Sequence, residues 1–336
     1  MHAGPIWLGP EDLEELLELR AVIESQRRAF GALADGSGQL APRLLLPNER
    51  DGSVAFCYAS RLSHATGPVA KFGSVNPGNR NLGLPSVSAV VVVLDPVTGQ
   101  PRAFLDGEAV TTARTSAASA LAAKLLSRSG PVEVAVLGCG VQGRAHARAL
   151  AATLPVSAIR MWSPSEASRR SATTTLEEEL GLPVRPSADA RGAVDGADVV
   201  VTATTSAEPV LEATWVLPGT TVLSVGSFAP DRREVGDDLV RAAATIVVDH
   251  PETAAQQAGP IVRALEHALI APSDLVGLGD IVNGTAPGRY SDEDIVFYNS
   301  VGLGIQDAAA AWLALDRAAA RGRGTAVGGT ATGGQS

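Results

Sequence analysis

Residues 132–150 read VEVAVLGCGVQGRAHARAL, and this stretch decides the fold of the chain. Its first six residues are an apolar run typical of a buried parallel strand, and from Gln142 onward the apolar spacing is that of an amphipathic helix. Between them the pattern Gly-x-Gly-x-x-Gly falls on Gly138, Gly140 and Gly143. In this context the first glycine allows a tight turn, the second admits a pyrophosphate, and the third lets helix pack on strand. The stretch predicts a dinucleotide-binding turn, and a Gly-rich turn without a ligand is the alternative.

Strands and helices keep alternating beyond this stretch. Helices are expected over about 142–153 and 165–180, and the later strand-like runs are SAIRMW (157–162), ADVVVTAT (197–204), TTVLSVG (220–226) and ATIVVD (244–249). Parallel strands that are covered on both faces read as continuous apolar runs, and βα alternation is typical of a doubly wound sheet. This part of the chain is therefore predicted to be a Rossmann-type α/β domain with a parallel sheet.

The first third of the chain has a different pattern. An opening helix is expected over 10–33 and an Ala-rich helix over about 110–128, with short strands between them. The strand-like runs are 43–47, 53–59, 68–75, 86–94 and 101–106, separated by turn signals such as NERDGS and NPGNRNLG. We predict a mostly antiparallel sheet within an α+β domain. Near the end of the chain a further helix is expected at about 301–320, and composition predicts a disordered tail over 323–336.

Composition excludes several classes of protein. The chain has 336 residues, 45% hydrophobic and 19% charged, which is typical of a two-domain globular protein. A net charge of −9 without a basic stripe argues against a nucleic-acid partner. Cys57, Cys139 and the five histidines have no metal-ligand or redox spacing, so we expect no metal and no disulfide. Without a signal-peptide pattern or an apolar run near the ~20 residues that span a bilayer, we expect a cytoplasmic protein with no membrane partner.

The position that reads the cofactor ribose should follow the glycine motif by about 20 residues, at the end of the second strand. NAD enzymes usually carry an acid there, whereas this chain has Ser163, with Ser165 and Arg169 nearby. Without an acid to repel a 2′-phosphate, NADP(H) is favoured over NAD(H). A plain loop that accepts both cofactors is the alternative.

Three cations in the chain are candidates for binding a carboxylate. In PVAKFGSV, strand alternation puts Lys71 on the same face as Val69 and Val75, and an inward ammonium needs an anion. Pattern alone leaves open a solvated lysine on an edge strand. Arg43 and Arg114 each read as surface arginines when taken singly. If the fold brings all three together, they could hold a carboxylate and a pyrophosphate.

The chain resembles the ornithine cyclodeaminase/mu-crystallin family over nearly its whole length. The resemblance is carried by PRLLLP, VAKFGSVNPGNRNLGLPSVSAV, DPVTGQPRAFLDG, TARTSAASALAAK, VAVLGCGVQGRAHARAL, DVVVTATTS, VLSVGSFAPDRREV, LGDIVNGTAPGR and NSVGLGIQDAAAA. It implies a homodimer and a nicotinamide cofactor. The implied domains are a discontinuous substrate-binding and dimerisation domain, 1–120 with 302–322, and a Rossmann domain over 121–301.

The resemblance also implies roles for individual residues. Arg43 and Lys71 match the pair that clamps the α-carboxylate of a small-molecule substrate, and Ser86 stands where cyclodeaminases have a threonine. Arg114 and Thr115 match residues that meet substrate and cofactor phosphates. The implied cofactor walls and turn comprise Gly138, Gly140, Val141, Gln142, Gly143, Ser163, Ser165, Thr202, Thr204, Val225, Gly226, Ser300 and Val301.

The chain departs from the cyclodeaminase pattern in one place. Cyclodeaminases have an acid/base Asp where Phe228 stands in GSFAP, and ketimine reductases of the mu-crystallin type also lack that Asp. We therefore expect reduction of a cyclic imine such as Δ1-pyrroline-2-carboxylate or Δ1-piperideine-2-carboxylate, with Ser86 orienting the ring and Phe228 forming an apolar wall. One alternative is an ornithine or lysine cyclodeaminase, or an amino-acid dehydrogenase, whose base comes from elsewhere, for example Asp231. A second alternative is a non-catalytic cofactor-binding protein.

Overall fold

The computed structural model describes residues 4–328 of the chain. It divides into two compact units: unit 1 is Met1–Arg114 with Leu303–Ser336, and unit 2 is Thr115–Gly302. The sequence-based boundaries, at 120 and 302, lie within a few residues of these junctions. The first junction falls inside a continuous helix, Gly107–Leu126, so no turn in the sequence marks it.

Unit 1 contains a mostly antiparallel sheet. Its strands are β1 (Ile6–Leu8), β2 (Gln39–Leu40), β3 (Leu44–Pro47), β4 (Val54–Arg61), β5 (Val69–Val75), β6 (Val87–Leu94), β7 (Pro101–Asp106) and β16 (Thr325–Ala326). The order is β16-β1-β7-β6-β5-β4-β2, with β3 also pairing with β4, and only β1 and β7 are parallel. The predicted α+β fold of this part is confirmed. Its helices are α1 (Pro10–Leu16), α2 (Leu19–Ala34), α3 (Gly107–Leu126, shared with unit 2) and α11 (Gly304–Arg321), and α11 packs on β4, β5 and β6.

The opening helix predicted over 10–33 is two helices in the structure. Leu17 and Glu18 have non-helical dihedrals, with ψ of 56° and 129°. In one continuous helix, at roughly 100° per residue, Val22 would point about 180° away from Leu13. Both side chains are buried. The break lets α1 and α2 each turn an apolar face inward.

The predicted tail is partly ordered. Thr325 pairs with Trp7 and Ala326 with Ile6, so β16 extends the sheet beyond β1. Val327 N also donates to Pro5 O at 2.8 Å. The prediction of disorder is therefore wrong for this segment, because the open backbone edge of β1 offers partners that composition does not reveal. Residues 329–336 of the predicted tail lie outside the described residues.

Unit 2 is built on a parallel sheet. Its strands are β8 (Val132–Leu137), β9 (Val156–Trp162), β10 (Val184–Pro186), β11 (Val199–Thr202), β12 (Thr221–Ser224), β13 (Thr245–Val248), β14 (Leu275–Gly277) and β15 (Val296–Asn299). Their order is β10-β9-β8-β11-β12-β15-β13-β14, with every pair parallel. The predicted doubly wound α/β fold is confirmed.

The helices of unit 2 follow the strands as the βα alternation predicts. They are α4 (Val141–Ala151), α5 (Glu166–Leu180), α6 (Ala190–Val194), α7 (Asp237–Ala242), α8 (Pro251–Gln257), α9 (Gly259–Glu266) and α10 (Leu278–Val282). Because all strands run in one direction, their carboxyl ends meet at one edge of the sheet, where ligands bind in this type of fold. Within residues 4–328 no helix is both long and apolar enough to cross a bilayer.

Candidate functional site

Lys71 is buried within unit 1, as the alternation of β5 predicts. Lys71 is 4% exposed, whereas the next residue, Phe72, is 52% exposed on the opposite face of the strand. Lys71 Nζ donates to Thr111 Oγ1 at 2.7 Å and to Asp307 Oδ1 at 3.2 Å. Burial lowers the pKa of Lys71 to about 8, and the Asp307 carboxylate opposes this effect. The ammonium is therefore held in place by two fixed acceptors.

Arg114 on α3 shares the same carboxylate. Its Nε donates to Asp307 Oδ1 at 3.2 Å, and its Nη1 donates to Gln306 Oε1 at 3.4 Å. Asp307 is 1% exposed on α11, at a position that sequence reasoning did not assign to the site. The available signal was an acid within an Ala-rich helix, because a charged residue inside an apolar face needs a partner.

Arg43, the residue before β3, lies near the same aromatic ring as Lys71. Its guanidinium carbon lies 4.6 Å from the ring centroid of Tyr58, and Lys71 Nζ lies 5.6 Å from the same centroid. Burial raises the pKa of Tyr58 and lowers that of Arg43. The tyrosine is therefore neutral at neutral pH. The structure thus brings together the three predicted cations, here called the cation cluster: Arg43, Lys71 and Arg114.

Lys71 and Arg114 are a buried pair of cations that share one carboxylate. Both donate to Asp307, so two positive charges face one negative charge among these three groups. A buried excess of positive charge is costly unless an anion balances it. A planar carboxylate that accepts hydrogen bonds from several donors is the type of ligand that fits such a group.

Ser86 belongs to unit 1 and Phe228 to unit 2. Lys71 pairs with Val91 on β6, and Ser86 precedes Val91 by five residues, or about 17 Å along a strand. The expectation that Ser86 orients the ring of the substrate stays a prediction. Phe228 follows β12 in unit 2 and is partly exposed, with the Arg232 guanidinium 5.2 Å from its ring centroid.

The glycine turn of unit 2 has room for a phosphate group. Gly138 has a φ of +121°, which favours glycine, and a Cβ at Gly143 would overlap the carbonyl of Gly138. At Gly140 a Cβ would meet no atom within 4 Å. Gly140 is the N-cap of α4 and provides no side-chain cap, so the first N–H groups of the helix, from Val141 and Gln142, are available to an anion. These residues fit the pyrophosphate of a dinucleotide.

The end of β9 is arranged around Ser163. Its hydroxyl donates to Ser165 O at 3.3 Å, and Arg169 Nη1 donates to Ser163 O at 2.5 Å. The Ser165 hydroxyl accepts from Ser168 N at 3.2 Å and caps α5. A guanidinium therefore lies beside the residue that replaces the usual acid.

The ends of β11 and β12 converge on Glu234, a buried carboxylate that sequence reasoning missed. Thr202 Oγ1 donates to it at 2.8 Å, Thr204 N at 2.5 Å, Ser224 Oγ at 3.0 Å and Gly226 N at 2.7 Å. Val225 N joins the same strand ends by donating to Thr202 O at 2.9 Å. The four residues predicted to form this part of the cofactor wall are therefore linked around one acid.

A second buried acid, Asp249, follows β13. Ser300 Oγ donates to it at 3.2 Å, Val301 N at 2.9 Å and Gly302 N at 2.7 Å, and the Tyr298 hydroxyl donates to its other oxygen. Ser300 and Val301 are the remaining predicted wall residues.

Thr115, which the resemblance places near the cofactor phosphates, is buried in α3. Over residues 4–328 no three His, Cys, Asp or Glu side chains come together as metal ligands would.

Comparison with known proteins gives the family. The model of the ornithine cyclodeaminase/mu-crystallin family matches residues 7–322. The Δ1-pyrroline-2-carboxylate reductase of Thermococcus litoralis, solved with NADH and L-proline, is similar in structure, with a TM-score of 0.92, 32% identity and coverage of 96% of this chain and 100% of that one. An alanine dehydrogenase of Archaeoglobus fulgidus is 30% identical (95% of this chain, 97% of that protein), and the ketimine reductase mu-crystallin of Mus musculus is 28% identical (94% and 98%). The chain therefore belongs to the ornithine cyclodeaminase/mu-crystallin family.

Proposed function

We propose that this protein is an enzyme that reduces a small cyclic ketimine carboxylate, of the Δ1-pyrroline-2-carboxylate or Δ1-piperideine-2-carboxylate type, with a nicotinamide cofactor. The observation that carries the proposal is that Lys71 and Arg114, the two buried cations of the cation cluster, share the single carboxylate of Asp307. The similarity to a Δ1-pyrroline-2-carboxylate reductase and to mu-crystallin supports this substrate class.

The residues of the chain need mainly to bind and orient this substrate. Arg43 and Lys71 hold the carboxylate of the substrate. Arg114 keeps the local charge positive, and Asp307 orients the side chains of Lys71 and Arg114 by accepting their hydrogen bonds. When bound, the nicotinamide supplies the hydride that adds to C2 of the imine. A protonated iminium already carries the proton that stays on nitrogen, so Phe228, which has no acid or base group, is compatible with reduction. We propose that Phe228 forms an apolar wall.

We propose NADP(H) as the preferred cofactor and NAD(H) as the alternative. Arg169 and Ser163 at the end of β9 offer donors and no acid to a 2′-phosphate. The similar Thermococcus enzyme was solved with NADH, so a preference for NADPH would distinguish this protein from it. A tenfold higher kcat/KM with NADH than with NADPH would refute the preference.

An amino-acid dehydrogenase is the second candidate, because an alanine dehydrogenase is among the relatives. Such an enzyme needs free ammonia together with a keto acid for reduction, whereas a ketimine reductase needs neither. A cyclodeaminase would release ammonia from ornithine or lysine. Asp231, one residue that could supply the base for such a reaction, is exposed.

One experiment tests the proposal directly. Purified protein is given the cyclic imine with NADPH or NADH, pyruvate with ammonia, or ornithine, and cofactor oxidation and ammonia release are measured. Lys71→Ala should abolish imine reduction and leave cofactor affinity within about twofold, because the lysine binds substrate. Lys124→Ala, at the chain's other lysine, which is exposed on α3, is the control. Ammonia release from ornithine at a rate comparable with imine reduction would favour the cyclodeaminase.

We further propose that the protein acts as a cytoplasmic homodimer, which suits its two free cysteines. Leu44 on β3 and Phe72 on β5 are cross-strand neighbours through Cys57, and both are exposed on the face opposite Lys71. An apolar face of this kind marks an interface. Leu44→Asp should shift the mass measured by light scattering from dimer to monomer, and a monomeric wild type would refute the proposal.

A further inference from the structure

We propose that Glu234 and Asp249 are positioning residues, which fix from the protein interior the strand ends that receive the nicotinamide half of the cofactor. The inference rests on the proposed function, since it assumes that unit 2 binds a nicotinamide dinucleotide. Neither acid belongs to the cation cluster or to the glycine turn.

The order of the strands shows that each of the two acids connects a different pair of neighbouring strand ends. β11, β12, β15 and β13 are consecutive neighbours in the sheet. Glu234 accepts donors from the ends of β11 and β12, whereas Asp249 follows β13 and accepts donors from β15 and the segment after it. Together the two carboxylates connect the carboxyl ends of four adjacent strands.

The donors show why a carboxylate is required at Glu234. An ionised carboxylate only accepts hydrogen bonds and has about four acceptor sites, which matches four donors. One of its oxygens accepts from Thr202, Ser224 and Gly226, and the other accepts from Thr204 N. No Lys, Arg or His in the described part of the chain forms a salt bridge with Glu234, so hydrogen bonds alone satisfy this fully buried group. A glutamine could keep three of these bonds but would turn its NH2 toward the Thr204 N–H.

The location of the donors indicates which half of the cofactor depends on them. The glycine turn follows β8, and Ser163 follows β9, so the pyrophosphate and the adenosine ribose bind at that side of the sheet. The strand ends tied by Glu234 and Asp249 begin at β11 and continue away from β9. The half of the dinucleotide that extends beyond the pyrophosphate must therefore lie over them.

The test compares the whole cofactor with a fragment of it. Glu234→Gln and Asp249→Asn are made together with a control, Glu178→Gln, at an exposed site on α5. Dissociation constants are measured for NADPH or NADH by nicotinamide fluorescence, using whichever binds wild type more tightly, and for 2′,5′-ADP or ADP by calorimetry. We expect the Kd of the reduced dinucleotide to rise about tenfold or more in both variants, and the Kd of the fragment to stay within about twofold.

Other results of these binding measurements would contradict the inference or test it in a second way. An equal loss of affinity for dinucleotide and fragment, or no loss of either, would overturn the inference. If the isosteric variants do not fold, Ser224→Ala and Tyr298→Phe each remove one hydroxyl donor, and a selective loss of about threefold is then expected for the dinucleotide. Equal affinities in those variants and in wild type would count against the inference. Wild type that binds neither NADPH nor NADH would overturn the proposed function and this inference together.

Discussion

Asp307→Asn should weaken the binding of a substrate carboxylate. It should also lower the pH above which that binding is lost. The substitution keeps the size of the side chain on α11 but removes the negative charge 3.2 Å from Lys71 Nζ. Burial already lowers the pKa of Lys71 to about 8, and the Asp307 carboxylate is the main effect that opposes it. Arg114 loses its charged acceptor at the same time.

The size of the effect follows from the charge that is lost. An opposite charge at this separation raises a lysine pKa by roughly 1–3, so its removal should bring Lys71 from about 8 to roughly 5–7. At pH 7.5 the charged fraction of Lys71 would fall from about three quarters to a few per cent for a pKa near 6. Because the ammonium binds the carboxylate only while protonated, wild type loses this contribution above a pH of about 8, and the variant loses it correspondingly earlier.

The assay is calorimetric binding of pyrrole-2-carboxylate, a planar carboxylate whose ring nitrogen does not titrate in the range studied. Affinity is measured against pH for wild type, for Asp307→Asn and for the control Asp316→Asn, which alters an exposed acid on the same helix. The control should match wild type. An alkaline limit that is the same in Asp307→Asn and in wild type would show that Asp307 does not keep Lys71 charged.

Three further predictions concern other parts of the chain. Ser163→Asp should reverse or strongly reduce the preference for NADPH in kcat/KM through repulsion of the 2′-phosphate, and an unchanged preference would remove Ser163 from the ribose site. Phe228→Asp should lower imine reduction and yield at most a trace of ammonia from ornithine, because a general base needs placement as well as identity; efficient deamination would contradict this. His146 is fully buried between Gln142 O at 2.7 Å and Ser119 Oγ at 2.9 Å, and burial lowers its pKa to about 4. Its neutral form contributes stability that is complete above pH 6.5 and is lost toward pH 4, up to about 3 kcal/mol, so urea unfolding of His146→Asn should depend less on pH in this range than that of wild type.

Short-range patterns in the sequence determined which elements form. The continuous apolar runs of unit 2 predicted parallel strands because a strand covered on both faces has no polar side. Alternation along β5 predicted that Lys71 faces inward and Phe72 outward, since side chains of a strand alternate between its faces. The glycine turn was equally local, because backbone conformation and close packing restrict it to glycine over a few residues.

The tertiary structure alone decided what these elements meet. Asp307 lies 236 residues from Lys71 in the chain, and nothing near either residue indicates the other. The break between α1 and α2 depends on where the core lies, because the sequence on both sides of Leu17 is compatible with a helix. In a sequence, Glu234 reads as a surface acid, since charged residues are rarely buried without partners. Its partners exist only once the ends of β11 and β12 are side by side, because hydrogen bonds between distant segments depend on their arrangement in space and not on local propensity.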